Sequence, residues 1–193
     1  MDDIVKQALA KWPNVPACAG WLGQDARGQW WMRDDACQAL GSFQVGCAAG
    51  DVAMKGSLLK HEKLIAFIQR NYGVDEKGCA WFQNGPQRVF VELEAAPYSL
   101  RLHEDGRIVA TAGSSASENG EHLIPSIDSS WLDEHGHLYL AFDSSLGRVH
   151  SQDMLLALAA IEGGRLPAPT ETSLAYLQQR FAFVLSPQAA GAV

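Results

Sequence analysis

The fold is decided by residues 75–102, DEKGCAWFQNGPQRVFVELEAAPYSLRL, where two turn-forming groups separate runs of strand-forming residues. Between Arg88 and Glu94 the side chains alternate in character, so a strand here has one apolar face and one mostly solvated face. The apolar face would carry Val89, Val91 and Leu93, and the solvated face Arg88, Phe90, Glu92 and Glu94. This alternation predicts that residues 75–102 form a central antiparallel meander.

Helical spacing of apolar residues predicts four helices around the meander. They cover residues 2–11, 57–71, 149–161 and 171–179. Residues 36–56 are poor in charge, rich in Gly and Ala and without a regular period, so we expect a long mobile loop there. A last strand is expected at residues 180–185, and the tail beyond it should fray. Together these patterns indicate an α+β fold in which antiparallel hairpins and the meander pack against a few helices.

Three turns share one pattern, in which an Asp is followed three residues later by a Gly and then by bulky strand residues. They begin at Asp25, Asp75 and Asp133. The first and third are each followed by a strand and a helix, which suggests internal duplication of a small hairpin–helix–sheet unit. Turn-forming residues at 112–121 predict a break between two units, residues 1–111 and 112–193, which can pack as one domain. Asp-x-x-Gly hairpins are common in β-rich proteins, so the turns alone leave the duplication open.

Composition and charge exclude several classes of protein. The chain has 193 residues, 47% of them hydrophobic, enough for one ordinary domain or two small ones with a core. A formal net charge of −7 argues against nucleic acid or an anionic membrane as a partner. The first residues lack a secretory signal, and no segment approaches the ~20 apolar residues of a bilayer-spanning helix. We therefore expect a cytoplasmic protein.

The sequence lacks the motifs of the common enzyme and cofactor-binding classes. It has no GxGxxG, GxxxxGK[ST], HExxH or GxSxG motif. The cysteines are too far apart for a CxxC site and are expected to be free thiols; they are Cys18, Cys37, Cys47 and Cys79. Residues 133–137, DEHGH, could gather carboxylates and imidazoles, but no distant third ligand is indicated, so an exposed polar turn is favoured. We expect no metal and no cofactor.

Three further stretches are distinctive: MDDIVKQALAKWPNVP, GWLGQDARGQWWMRD and HEKLIAFIQRNYGVDEKGCAWFQNGPQRVFVELEAAPY. Over these stretches the sequence resembles a family of proteobacterial proteins of about this length and of unknown function, most closely in its first half. More distantly, the turn-Gly-x-Trp pattern, the helix and the strand that ends near Pro97 resemble another uncharacterised bacterial group built from two small α+β units. Neither resemblance implies an activity or assigns a catalytic residue. We expect residues 36–56 to depart from the relatives.

The candidate binding residues lie on and beside the aromatic strands. An Arg next to aromatic side chains can clamp a carboxylate or phosphate bidentately, so we predict a pocket for a small acidic ligand. The ligand-binding candidates are Trp81, Gln83, Asn84, Arg88, Phe90 and Trp31, with further apolar walls from Trp21, Trp30 and Tyr72. Two alternatives stay open. Arg88 can instead form a surface salt bridge with Glu92 and Glu94, and the Trp residues can serve the core or a dimer interface.

Two functional hypotheses follow. The first is a cytoplasmic binding or regulatory module, a homo-oligomer such as a homodimer, that recognises a small acidic ligand or a protein partner through the face around Trp81 to Phe90. The second is a hydrolase-like enzyme with a carboxylate–His pair, Glu92 or Asp133 with His103 or His137. The absence of catalytic motifs favours the first, whereas a deep pocket holding a carboxylate and a His would favour the second.

Overall fold

Two mixed β-sheets with helices packed around them make up the fold in the computed structural model, which describes residues 1–111 and 121–192. This arrangement confirms the predicted α+β class. The helices are α1 (Asp3–Lys11), α2 (Asp35–Leu40), α3 (Phe43–Ala49), α4 (Val52–Lys55), α5 (Glu62–Arg70), α6 (Met154–Glu162) and α7 (Leu174–Arg180), with a 3-10 turn at Ser151–Asp153. The strands are β1 (Cys18–Gln24), β2 (Trp30–Met32), β3 (Ser57–Leu58), β4 (Tyr72–Val74), β5 (Ala80–Asn84), β6 (Gln87–Leu93), β7 (Tyr98–Leu102), β8 (Ile108–Thr111), β9 (Glu121–Ile124), β10 (Ser129–Leu132), β11 (Leu138–Phe142), β12 (Ser145–Val149) and β13 (Thr170–Glu171).

The first sheet has the strand order β3-β2-β1-β6-β5-β4. Its neighbouring strands are antiparallel except for β1 and β6, which run parallel. Helix α5 packs on this sheet through Ile65, Phe67 and Ile68, whereas Leu64, which the apolar spacing also places on the buried face, is 38% exposed. His61 caps this helix, because its Nδ1 accepts a hydrogen bond from the Leu64 N–H at 3.2 Å.

The second sheet has the strand order β13-β10-β11-β12-β7-β8-β9, and its strands β11 and β12 are packed on both faces. Alternate residues of β11 serve two separate cores: Leu140 belongs to the core that includes Ala157 of α6, and Tyr139 to the core that includes Leu177 of α7. For this reason every residue of β11 is buried.

The predicted central meander is only partly correct. Strands β5 and β6 form the expected antiparallel hairpin, but β7 leaves the first sheet and pairs with β8 and, in parallel, with β12. Residues 94–97 cross between the sheets, where Pro97 lacks the N–H that would extend a ladder. The Pro97 carbonyl accepts a 2.6 Å hydrogen bond from the buried Tyr72 hydroxyl, which ties the crossover to the first sheet.

Residues 36–56 contribute to three short helices, α2 to α4, so the prediction of a long mobile loop is wrong. Asp34, Ser42 and Asp51 cap them by accepting hydrogen bonds from N–H groups of the first turns, and a Gly follows each helix. Cap residues and glycines are visible in the sequence. Helices of 6, 7 and 4 residues are too short, however, to show an apolar period.

A buried guanidinium group holds these three helices together. Arg33 is 1% exposed; its Nε donates to the Met54 carbonyl at 3.1 Å, and its Nη2 donates to the carbonyls of Cys37 and Gly41. Within residues 1–111 and 121–192, no carboxylate lies within salt-bridge distance of Arg33. Carbonyl dipoles at the ends of α2 and α4 therefore balance this charge.

The predicted strand at residues 180–185 is wrong. Helix α7 extends to Arg180, and Val184 makes a single bridge to Cys79 instead of a strand pairing. Short runs of apolar residues occur both at the end of an amphipathic helix and in a strand. The apolar residues after Arg180 therefore could not show whether a strand follows the helix.

The C-terminal segment covers the face of β6 that was predicted to be solvated. The Leu93 N–H donates to the Leu185 carbonyl at 2.8 Å, and the Gln188 N–H donates to Glu92 Oε1 at 3.1 Å. Gln44 of α3 donates to the other carboxylate oxygen of Glu92 at 3.2 Å. Glu92 is consequently 1% exposed, so the expectation of a wet face is wrong.

The three Asp-x-x-Gly turns have one hydrogen-bond pattern. In each, the Asp Oδ1 accepts from the N–H groups two and four residues later, and the Asp carbonyl accepts from the Gly N–H. The sixth residue after the Asp also matches in two of them, since Trp31 Nε1 donates to Asp25 at 2.9 Å and the Tyr139 hydroxyl donates to Asp133 at 3.0 Å. This geometry supports the duplication, which stays a prediction.

The division of the chain after residue 111 also stays a prediction. Strands β7 and β8 precede that position but belong to the same sheet as β9 to β13, which follow it. Of the predicted break, residues 112–120 lie outside the described residues, and Glu121 begins β9.

Candidate functional site

A cleft of about 780 Å³ opens beside β5 and β6 of the first sheet. One wall comes from α1 and the segment that follows it, which contribute Leu9, Pro13, Val15 and Ala17. A second wall comes from the turn between β4 and β5, which contributes Asp75, Glu76 and Lys77, and Ala192 of the C-terminal segment also lines the cleft.

The floor of the cleft is one face of the β5–β6 hairpin. Trp81 is paired with Phe90 and Gln83 with Arg88 across the antiparallel ladder, so the four side chains form a block of two by two. Phe90 and Gln83 are buried, and Gln83 Nε2 donates to the Gly85 carbonyl at 3.1 Å, which fixes the hairpin turn. Four of the six candidate binding residues thus lie together.

Arg88 stacks on Trp81 at the centre of this floor. The guanidinium carbon lies 4.2 Å from the centroid of the indole ring, within the range of a cation–π contact. Arg88 forms no salt bridge in the part of the chain that the structure describes, so the alternative of a salt bridge with Glu92 and Glu94 is wrong. Glu92 is bound by Gln44 and by the C-terminal segment, and Glu94 accepts the Ala26 N–H at 2.8 Å.

The remaining candidates lie elsewhere. Asn84 is exposed and lines a second, mainly apolar cavity of about 470 Å³ together with Trp21 and Phe82. Trp31 is buried and donates to Asp25, while the Lys55 ammonium lies 4.1 Å from its ring centroid and 3.1 Å from Asp25 Oδ2.

Two further predicted wall residues belong to the core of the first sheet. Trp30 and Tyr72 are in edge-to-face contact there, with ring centroids 5.9 Å apart. The prediction that the cleft is walled by Trp21, Trp30, Trp31 and Tyr72 is therefore wrong.

The carboxylate–His pair predicted for an enzyme exists at one position. His137 Nδ1 lies 2.9 Å from Asp133 Oδ2, which also accepts from Tyr139, while Asp133 Oδ1 accepts two backbone N–H groups of its turn. Burial would raise the pKa of Asp133, but hydrogen bonds from His137 and His135 outweigh it and hold the pKa below the ordinary value. Because Asp25 makes the same turn and side-chain bonds with no His, the carboxylate has a structural role.

The other combinations do not form pairs. Glu92 is enclosed by Gln44 and Gln188, and the backbone N–H and carbonyl of His103 close the turn between β7 and β8. In the described part of the chain, no group of three or more His, Cys, Asp and Glu side chains is arranged to hold a metal ion.

Three of the thiols have raised pKa values. Burial raises the pKa of Cys18 and Cys79, and burial together with the Glu94 carboxylate raises the pKa of Cys47 to about 12. A thiolate is the nucleophilic form of cysteine, and burial disfavours that form at these three side chains. All four cysteines are free, as expected.

Sequence reasoning missed the contributions of α1 and of the C-terminal segment to the cleft. Leu9, Pro13 and Val15 have the character of ordinary core or loop residues, and Ala192 is separated from the floor by more than a hundred positions. The one available signal was the pair of prolines at 13 and 16, which ends α1 and turns the chain towards β1.

A family model matches this sequence over almost its whole length. The DUF2944 model, described as a protein of unknown function (DUF2946), covers residues 1–190. The chain belongs to this family. The resemblance to a family of unknown function is thereby confirmed, and the match extends well beyond the first half of the chain. No curated protein matches the sequence.

Two crystal structures of DUF1285 family proteins show some similarity to the DUF2944 chain. The protein from Shewanella baltica OS155 has a TM-score of 0.43 at 12% identity, over 72% of this chain and 91% of its own. The protein from Silicibacter pomeroyi DSS-3 has a TM-score of 0.45 at 8% identity, over 82% of this chain and 84% of its own.

The helices of residues 1–111 and 121–192 are all too short or too polar to cross a lipid bilayer.

Proposed function

We propose that this DUF2944 protein is a cytoplasmic binding module that holds a small acidic ligand in the cleft beside β5 and β6. One observation carries the proposal: the Arg88 guanidinium is stacked on Trp81 inside a large cleft and has no carboxylate partner among the described residues. A guanidinium in this position is fixed by its ring contact while its N–H edge stays available.

The chemistry of the cleft favours a ligand with one compact anionic group and an apolar body. Arg88 can donate two parallel hydrogen bonds to a carboxylate or phosphate. Such charge-assisted pairs are stronger than hydrogen bonds between neutral groups. Trp81, Phe90 and the wall from α1 provide apolar surface for the rest of the molecule. The facing turn carries the carboxylates of Asp75 and Glu76 against one ammonium group, that of Lys77, so its net negative charge disfavours an extended polyanion and a single acidic group fits best.

A titration followed by NMR tests the proposal. Benzoate is the probe, with benzyl alcohol and benzylammonium as neutral and cationic controls of similar shape, and the indole N–H resonance of Trp81 is the readout. We expect saturable shifts with benzoate alone, and about tenfold weaker binding in Arg88→Gln, because a charge-assisted hydrogen bond is lost. Arg107→Gln, an exposed Arg paired with Asp105, should bind as the wild type does.

Equal shifts from all three probes would overturn the acidic-ligand proposal, as would wild-type affinity in Arg88→Gln. If benzoate binds as expected, native mass spectrometry of protein purified from bacteria identifies the resident ligand. A regulatory role, a protein partner and the homodimer stay predictions; light scattering of the purified protein checks the last of these.

The carboxylate–His enzyme is the weaker candidate. Its support is the 2.9 Å contact between His137 and Asp133. Both oxygens of Asp133 are engaged in turn and core hydrogen bonds, so the pair resembles the other Asp turns more than an acid–base pair poised over a substrate.

A further inference from the structure

Parallel pairing of β7 and β12 places cationic side chains next to one another on the second sheet. Arg148 is paired with Ser99, and the His150 N–H donates to the Leu100 carbonyl at 2.9 Å, which sets His150 beside Arg101. Residues two apart on a strand share a face, and neighbouring strands lie about 4.8 Å apart. Arg148, His150 and Arg101 therefore form a basic cluster on one face.

The first sheet brings another guanidinium group to this cluster. The turn between β1 and β2 packs on β7 at Gly28, where a Cβ atom would lie 2.9 Å from Ser99 Oγ and 3.3 Å from Thr111 Oγ1. Gly28 also has φ 74°, which favours glycine. The close approach brings Arg27, the preceding residue, to the basic cluster.

The environment of His150 supports this placement. Burial and the positive charges of Arg101, Arg27 and Arg148 lower its pKa, against the opposing effect of Asp153. Positive charges near an imidazole disfavour its protonated form, which agrees with the strand pairing that places Arg148 and Arg101 on the face of His150. His150 Nδ1 accepts the Gln152 N–H at 3.2 Å, which leaves Nε2 for another partner.

The carboxylates nearby neutralise only part of this charge. Asp153 binds Arg101 bidentately, at 2.6 Å and 3.1 Å, and the charge of Glu121 also acts on Arg101. Arg27 and Arg148 form no salt bridge with any residue that the structure describes. Two guanidinium groups thus lie beside one imidazole without a salt-bridge partner among the described residues, in a protein whose net charge is −7.

A buried hydroxyl in the same block is also unsatisfied. Ser99 is 4% exposed, and its Oγ has no hydrogen-bond partner among residues 1–111 and 121–192. Buried polar groups normally have a partner, and this hydroxyl belongs to the residue that is paired with Arg148.

We infer that Arg27, Arg148 and His150 form a binding site for a tetrahedral oxyanion, a phosphate group that is either free or part of a phosphomonoester. Arginine forks match phosphate geometry, and the imidazole Nε2–H adds a third donor, because Nδ1 accepts the Gln152 N–H. The site shares no residue with the cleft around Arg88. It binds phosphate whether or not the cleft binds an acidic ligand.

The test follows the imidazole resonance of His150 by NMR while inorganic phosphate is added, with chloride at matched ionic strength as the control for screening. We expect a saturable shift with phosphate and an upward change in the pKa of His150, because a bound anion stabilises the imidazolium. Arg27→Gln and Arg148→Gln should each weaken phosphate binding about tenfold or more. Arg27 is an exposed turn residue, so Arg27→Gln tests the site even if Arg148→Gln disturbs the sheet.

Arg107→Gln is the control variant and should leave phosphate binding unchanged, because Arg107 is exposed and paired with Asp105. Phenyl phosphate separates the two sources of the group: tighter binding than inorganic phosphate identifies a phosphomonoester site, and equal binding identifies a site for free phosphate. The same response to chloride as to phosphate overturns the inference. So does unchanged phosphate affinity in Arg27→Gln with intact fold.

Discussion

Replacing Arg33 with methionine is expected to unfold the segment that contains α2, α3 and α4 before the rest of the protein. Arg33 is the buried link between these helices, because it donates to carbonyls of Cys37, Gly41 and Met54. Methionine fills a similar volume and removes the donors without leaving a new charge.

The size of the effect follows from the bonds that are lost. Hydrogen bonds to a charged donor are worth about 1.5–3 kcal/mol each, and three carbonyls lose such a donor. The variant no longer has to bury a charged guanidinium group, and this saving offsets several kcal/mol of the loss. We expect a net loss of about 3 kcal/mol, which for a chain of this length lowers the melting temperature by roughly 6–12 °C.

Urea denaturation measures the free energy of unfolding, and hydrogen exchange of residues 35–56 shows whether the loss is local. Arg107→Met is the matched control: Arg107 is exposed and paired with the exposed Asp105, so the stability of this variant should match that of the wild type. A loss below about 1 kcal/mol in Arg33→Met, or wild-type protection of residues 35–56, would refute the role assigned to Arg33.

Three other expectations follow from single contacts. The pKa of Asp133 is lower in the folded than in the unfolded state, so the ionised side chain stabilises the fold above the unfolded pKa of about 3.9. This stabilisation is lost as the pH falls through the folded pKa. In urea titrations, Asp133→Asn should therefore lower the free energy of unfolding at pH 7 and make that free energy less dependent on acid pH. A Cβ at Gly78, where φ is 78°, would overlap the Ala182 carbonyl, so Gly78→Ala should lower the melting temperature far more than Gly85→Ala, whose Cβ would meet open space. Cys47, with a pKa of about 12, should react with iodoacetamide at pH 8 much more slowly than a free thiol in a peptide.

The sequence was most informative for features that depend on neighbouring residues, namely the spacing of apolar side chains and the residue preferences of turns. The β5–β6 hairpin, the apolar stripe of α5 and the three Asp turns follow from alternation, helical spacing and the preferences of Asp and Gly. The departure of β7 into the second sheet could not be found this way, since a strand has the same alternation whichever sheet it joins. The burial of Glu92 depends on Gln188, 96 positions away, and no local pattern reports such a contact.

The floor of the cleft was accessible from sequence for the same reason. Trp81, Gln83, Arg88 and Phe90 fall on one face of one hairpin once the turn at Gly85 is recognised. The walls were not, because tertiary packing brings α1 and the C-terminal segment to the hairpin. Trp31 shows the limit of residue type, which does not separate a ring that lines a cleft from one that donates to a buried Asp.

The three Asp turns also bear on which functional hypothesis is stronger. In the turns that begin at Asp25 and Asp133, the sixth residue after the Asp is Trp31 or Tyr139. Its side chain donates a hydrogen bond to the carboxylate of its own turn and so stabilises the hairpin. In the Asp75 turn the sixth residue is Trp81, whose buried Nε1 has no partner in the described chain and whose ring lies against Arg88. This hairpin therefore lacks a stabilising bond that its counterparts have, and it presents a stacked guanidinium in a cleft instead. Functional sites often give up local stability, and the Asp75 hairpin does so where the Arg88 guanidinium faces the cleft. The carboxylate–His pair lies instead in the Asp133 turn, which keeps its stabilising hydrogen bond from Tyr139. This contrast favours the binding hypothesis over the enzyme hypothesis.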